Sequence, residues 1–203
     1  MSGDTISPIW HPFAQHALHS AFPQVVRAEG AYLTLQDGQR ILDAISSWWV
    51  ITHGHGHPKI VAAIKAQAER LDQVIFAEYT HEPAELVAAK LIALAPRSLE
   101  HVFFSDSGST SVEVALKMAL GFWRHTGKPR HRIIVMEHSY HGDTIGTMSA
   151  GARGVFTEAY DPCYLRSSEF LSLPPEKKAR RLMHSRLSAA RATPLLFWWN
   201  RWC

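Results

Sequence analysis

Ser107-Gly-Ser-Thr is the segment of this chain best suited to hold an anion. A β-like run, His101-Val-Phe-Phe-Ser, leads into it, and Val112, Ala115, Leu116, Ala119 and Trp123 follow at helical spacing. The expected order is strand, polar turn, helix. The first N–H groups of a helix have no intrahelical partner and stand at the positive end of its dipole, which favours a phosphate. Gly108 lets the backbone approach closely, while Ser109 and Thr110 add hydroxyl donors. The same residues also make an ordinary helix N-cap with no ligand. The Gly and Lys spacings of a P-loop or a dinucleotide fingerprint are absent.

A second group lies just beyond the strand candidate Arg132-Ile-Ile-Val-Met-Glu, in Ser139-Tyr-His-Gly-Asp-Thr. Ligands of open parallel sheets sit outside the carboxyl ends of the strands. Tyr140 is therefore expected near the 107–110 turn, able to cover a flat ring; taken alone, it reads as an ordinary half-buried aromatic. His53, His55 and His57 alternate, and imidazole suits zinc. No carboxylate or thiol at ligand spacing accompanies them, and glycines break the segment, so no metal site is expected. Adjacent residues on a strand point to opposite faces, so at least one of Trp48 and Trp49 is expected to meet a pocket or a partner subunit.

The elements that must position these groups follow from the periodicity. Asp37-Gly38 between two strand-like runs, 31–36 and 39–43, predicts a hairpin. Residues 1–26 read as an irregular arm, and Ser46 to Pro58 as an exposed loop carrying large side chains. Pro58 suits the first turn of a helix. A second helix starts near Pro83, and Pro96 ends it. Strand, turn, helix and strand over 101–137 make a βαβ unit, hence an α/β fold with a parallel sheet. Three segments are expected: 1–57, the arm, hairpin and Trp-Trp loop; 58–162, helices and the start of a larger domain; and 163–203, a basic tail outside any resemblance to the rest.

Composition supports that division. The net charge of +3 separates into 13 basic against 16 acidic residues over 1–162 and 8 against 2 over 163–203. The basic balance belongs to the tail, so a nucleic-acid reading of the whole chain loses its support. Both cysteines, Cys163 and Cys203, lie in the tail and make no disulfide framework. No apolar run reaches the roughly 18 residues needed to span a bilayer, and the start carries no secretory signal. A cytoplasmic location is expected.

Taken in order, the motifs resemble those of the class III, fold-type I aminotransferases. The resemblance runs from about residue 7 to 160. It rests on Ile9-Trp-His-Pro, Ser46-Ser-Trp-Trp, His53-Gly-His-Gly-His-Pro, Phe104-Ser-Asp-Ser-Gly-Ser-Thr-Ser-Val-Glu-Val-Ala-Leu-Lys-Met-Ala and Tyr140-His-Gly-Asp-Thr. Within that family it is similar to the members that pass an amino group from S-adenosylmethionine to 8-amino-7-oxononanoate in biotin synthesis. The resemblance implies pyridoxal 5'-phosphate as cofactor, with Gly108 and Ser109 on its phosphate and Tyr140 stacked on its ring. It implies that Trp48 and Trp49 line the substrate pocket under the N-terminal arm, and that intact members are homodimers. It implies Phe13 as a third substrate-binding residue; Phe13 stands where the family usually has tyrosine, and loss of that hydroxyl is expected to weaken substrate recognition.

The resemblance also implies a Schiff-base lysine and a carboxylate partner for the ring nitrogen, both far downstream of residue 160. Lys177 and Lys178 lie in a charged run and are assigned no catalytic role. The chain is therefore expected to be a truncated, inactive portion. Phe197-Trp-Trp-Asn-Arg-Trp, read two nucleotides out of frame, gives a Leu-Val-Glu-like strand, so a shift of reading frame near Pro162 is expected. Two alternatives stay open. One is a class III aminotransferase acting on ornithine, 4-aminobutyrate or β-alanine; the other is a non-catalytic protein whose basic tail binds nucleic acid or membrane.

Overall fold

The structure, a computed structural model, describes residues 7–18, 22–155, 157–164 and 170–173. The chain divides into two compact units, Met1–Ala89 and Lys90–Cys203. The sequence divisions at 57 and 162 follow motifs and charge, whereas the compact units follow contacts and part within a helix.

The first unit is built on an antiparallel sheet in chain order: β1 (Val25–Glu29), β2 (Tyr32–Leu35) and β3 (Arg40–Leu42). The expected hairpin is β2–β3, with Tyr32 opposite Leu42 and Thr34 opposite Arg40. Gly38 has φ 85°, and its N–H donates to the Leu35 carbonyl at 2.9 Å. That left-handed position is the one Asp-Gly was expected to fill. β1 was not expected; it adds to β2 with an irregular register between Val25 and Arg27. Ser46–Trp49 forms a single turn, α1, and two longer helices follow: α2 (Pro58–Arg70), with its proline in the first turn, and α3 (Glu82–Leu94). Glu82 and Glu85 place negative charge at the positive end of α3.

The second unit contains α4 (Gly108–His125), β4 (Ile133–Met136), α5 (Ile145–Ala150), a 3-10 turn (Glu158–Cys163) and β5 (Phe170–Leu173). β4 and β5 pair in parallel, from Ile133 with Phe170 to Met136 with Leu173. Val112 and Leu116 of α4 bury against Ile133, with Val135 and Phe170 packed on them. The βαβ unit expected over 101–137 is therefore not formed as such, and a parallel pair lies further along the chain. Its strands are β4 and β5, while 101–105 carries no strand because it finds no ladder partner among the described residues. The sequence predicted no element beyond 162, yet β5 lies there. Among the described residues, no helix is long and apolar enough to cross a membrane.

One carboxylate ties the second unit together. Oε1 of Glu113, on α4, accepts from Thr144 Oγ1 at 2.6 Å, Gly146 N–H at 2.8 Å and Thr147 N–H at 3.3 Å. Glycine at 146 lets the helix start sit close to this carboxylate, since a Cβ there would lie 2.7 Å from Glu113 Cδ. Substituting Glu113 with alanine strands two backbone donors and is expected to cost roughly 1–3 kcal/mol, read as a lower denaturation midpoint. An unchanged midpoint would remove this tie from the account.

Candidate functional site

The second unit holds the turn expected to take an anion. Ser107 is the N-cap of α4; its Oγ accepts the Thr110 N–H at 3.1 Å, and Thr110 Oγ1 accepts the Ser107 N–H at 3.1 Å. The Ser111 N–H reaches the Ser107 carbonyl at 3.0 Å. Two of the orphan donors at the helix start are thereby used. Those of Gly108 and Ser109 meet no acceptor among the described residues. Nothing lies within 4 Å of where a Cβ on Gly108 would be, so the approach to this turn is open. The cap and the anion site are therefore compatible readings of the same residues. Asp106 is the one carboxylate within the turn, and the Thr110 hydroxyl bound to it holds its pKa below the ordinary value.

The Tyr-His-Gly-Asp segment meets this turn. The Asp143 N–H donates to Ser109 Oγ at 3.1 Å, across 34 residues of sequence. Accepting that bond leaves the Ser109 hydroxyl proton free to donate outward. Gly142, at φ 127°, makes the approach possible: a Cβ there would overlap Ser109 Oγ and lie 2.8 Å from Ser109 Cα. Tyr140 is 73% exposed, and its hydroxyl donates to Asp143 Oδ2 at 2.7 Å. The Asp143 carboxylate beside it, with some burial, holds the phenol pKa above its ordinary value. Burial pushes the His141 imidazole pKa down, and that ring contacts Ser139 Oγ at 2.9 Å. The structure thus brings Ser109 and the 140–143 loop together and leaves the Tyr140 ring open.

Phe13, Trp48 and Trp49 belong to the first unit. Phe13 is 90% exposed and stacks on Trp48 with ring centroids 5.9 Å apart, so the arm does meet the tryptophan pair. Trp48 is 66% and Trp49 84% exposed. The segment is not the extended strand on which adjacent residues face opposite ways. Ser46, Ser47, Trp48 and Trp49 all have φ between 43° and 74°, four successive left-handed residues without a glycine. Each such residue costs about 1–2 kcal/mol. Asp43 opposes that cost: Oδ1 accepts the Ser47 N–H at 2.9 Å, and Oδ2 accepts the Ser47 hydroxyl and His55 Nε2 at 2.7 Å each. These bonds, Ser47's first, push the Asp43 carboxyl down to about 2. His53 and His57 stand edge to face, and among the described residues no group of three or more His, Cys, Asp or Glu side chains is placed to hold a metal ion.

Sequence reasoning assigns no role to Asp43, Glu113, Gly142 or Asp143, and considers His55 only as a metal ligand. Asp143 and Glu113 both lie inside motifs that carry the resemblance, and Glu113 stands beside the apolar stripe of α4, where an acid points to a tie between elements.

Comparison with known proteins identifies the family. The family model described as aminotransferase class-III matches residues 13–191. Adenosylmethionine-8-amino-7-oxononanoate aminotransferase of Synechococcus elongatus is 49% identical over 166 residues, which is 82% of this chain and 39% of that protein. The protein of the same name from Corynebacterium glutamicum is 46% identical over 142 residues, 70% of this chain and 33% of that one. The chain thus spans well under half the length of these relatives. Among solved structures, adenosylmethionine-8-amino-7-oxononanoate aminotransferase from Methanocaldococcus jannaschii superposes with a TM-score of 0.78 at 33% identity, covering 90% of this chain and 42% of that one. An amine transaminase from an uncultivated Pseudomonas species, in its PLP-bound form, gives 0.78 at 26% identity, covering 95% and 48%.

Proposed function

We propose, because the chain belongs to the class III aminotransferase family, that its protein transfers an amino group from S-adenosylmethionine to 8-amino-7-oxononanoate with pyridoxal 5'-phosphate. The bond from the Asp143 N–H to Ser109 Oγ carries the proposal, since it joins an anion-binding turn to a loop with an open aromatic ring. The site's donors fit the cofactor. The N–H groups of Gly108 and Ser109 and the Ser109 hydroxyl hold the phosphate, and the exposed face of Tyr140 covers the pyridine ring. When bound, pyridoxal phosphate supplies the electron sink for moving an amino group between two carbon skeletons. Asp143 keeps the Tyr140 phenol protonated and fixes the ring's direction.

In the first unit, Trp48 and Trp49 offer flat apolar faces to the aliphatic chain of 8-amino-7-oxononanoate. Phe13, packed on Trp48, adds apolar surface but no hydroxyl. The lysine and the ring-nitrogen carboxylate of the family are assigned to no residue of this chain. The whole protein is proposed to work as a cytoplasmic homodimer. Amino-donor trials on the protein purified from its source test the reading. S-adenosylmethionine is expected to support formation of 7,8-diaminononanoate, and ornithine, 4-aminobutyrate and β-alanine are not. Turnover with one of those three in its place would move the protein to another branch of the family.

A further inference from the structure

The exposed Ser46–Trp49 turn poses a physical question: what keeps two large aromatic residues in a left-handed backbone with no glycine to relieve it? The answer begins with Gly30 and Gly54. Gly30 N–H donates to the His55 carbonyl at 3.0 Å, and His55 N–H donates to the Gly30 carbonyl at 2.7 Å. A Cβ on Gly54, at φ 80°, would lie 3.2 Å from Gly30 Cα, so glycine permits this close crossing of two backbones. The crossing fixes His55 beside the end of β3, where Nε2 meets Asp43 Oδ2 at 2.7 Å. Both side chains are well covered, His55 at 12% and Asp43 at 4% exposed. Asp43 has its remaining lone pairs on the Ser47 N–H and hydroxyl, inside the left-handed turn. A chain of contacts thus runs from the sheet through His55 and Asp43 to Ser47, one residue before the tryptophan pair.

We infer that Asp43 and His55 are positioning residues that lock the left-handed turn and so set where Trp48 and Trp49 present their rings. Its bearing on substrate choice rests on the proposed role of the tryptophan pair. The locking itself is independent of that role. An unpaired Asp43 could rotate away from Ser47, and without Asp43 the turn would relax to ordinary right-handed or extended backbone, carrying both indoles with it.

Chymotrypsin, which cleaves after tryptophan and binds its substrates extended, reads this opening directly in the 203-residue chain. Fragment masses separate cleavage after Trp48 and Trp49 from cleavage after Trp123, which lies on α4 and serves as reference. In D43A and H55F, cleavage at the pair is expected to rise about tenfold, with the Trp123 rate unchanged. In H55Q the side-chain amide can still donate to Asp43, so cleavage at the pair is expected to stay near the unsubstituted rate. Equal rates at the pair in all variants would overturn the proposal. So would a rise at Trp123 matching that at the pair, or an H55Q rate as high as that of H55F. No cofactor or substrate enters the assay. A failed clamp therefore leaves the substrate reading to the donor trials, and a failed donor trial leaves the clamp standing.

Discussion

Replacing Gly142 with alanine is expected to weaken pyridoxal phosphate binding by this chain about a hundredfold. Two effects combine. Alanine strongly disfavours the φ of 127° at this position, a strain of roughly 1–3 kcal/mol. The added Cβ would also overlap Ser109 Oγ and sit 2.8 Å from Ser109 Cα, and such overpacking costs about 1–3 kcal/mol more. The loop relieves both by leaving Ser109, which breaks the Asp143 N–H bond and carries Tyr140 off the phosphate turn. A hundredfold loss corresponds to about 2.7 kcal/mol, within that combined range. Gly121→Ala is the control. It lies inside α4 with nothing within 4 Å, so it should stabilise the chain by about 0.8–1 kcal/mol and leave affinity unchanged. Fluorescence titration with the cofactor gives both affinities. Equal affinity for G142A and the unsubstituted chain would separate the 140–143 loop from the phosphate turn in function.

Local signals were legible in the sequence, and long-range ones were not. Asp37-Gly38, Pro58 and the apolar stripe from Val112 to Trp123 state their structures within a few residues, and the hairpin, α2 and α4 follow them. α5 left no such trace. Its buried residues are Gly146, Thr147, Met148, Ser149 and Ala150, mostly small or polar, so burial produced no hydrophobic pattern. β5 is four residues long and exists through its pairing with β4, too short for a period to show. It lies inside the segment that charge had set apart, as does the end of the family match at residue 191.

The candidate site divides the same way. The turn at Ser107–Thr110 and the ring of Tyr140 are legible from their residue types and their places after β-like runs, of which only the second forms a strand. The bond joining them spans 34 residues and depends on a glycine whose φ no local rule states. The alternation of His53, His55 and His57 suggests metal ligands and nothing more. His55 instead answers an aspartate 12 residues away, a pairing that follows from the Gly30–Gly54 crossing.

The proposed chemistry depends most on the turn at the start of α4 holding the phosphate of pyridoxal phosphate. Comparing equilibrium affinities of this chain for pyridoxal phosphate and for pyridoxal, which differ only in the phosphate, tests it most directly. The phosphate gains the N–H groups of Gly108 and Ser109 and the Ser109 hydroxyl, and hydrogen bonds to a charged group contribute about 1.5–3 kcal/mol each. Even with one or two of these realised, pyridoxal phosphate should bind roughly a hundredfold more tightly, and inorganic phosphate should compete with it. Equal affinities for the two compounds, with no competition by phosphate, would contradict the assignment of the turn and with it the proposed chemistry of this unit.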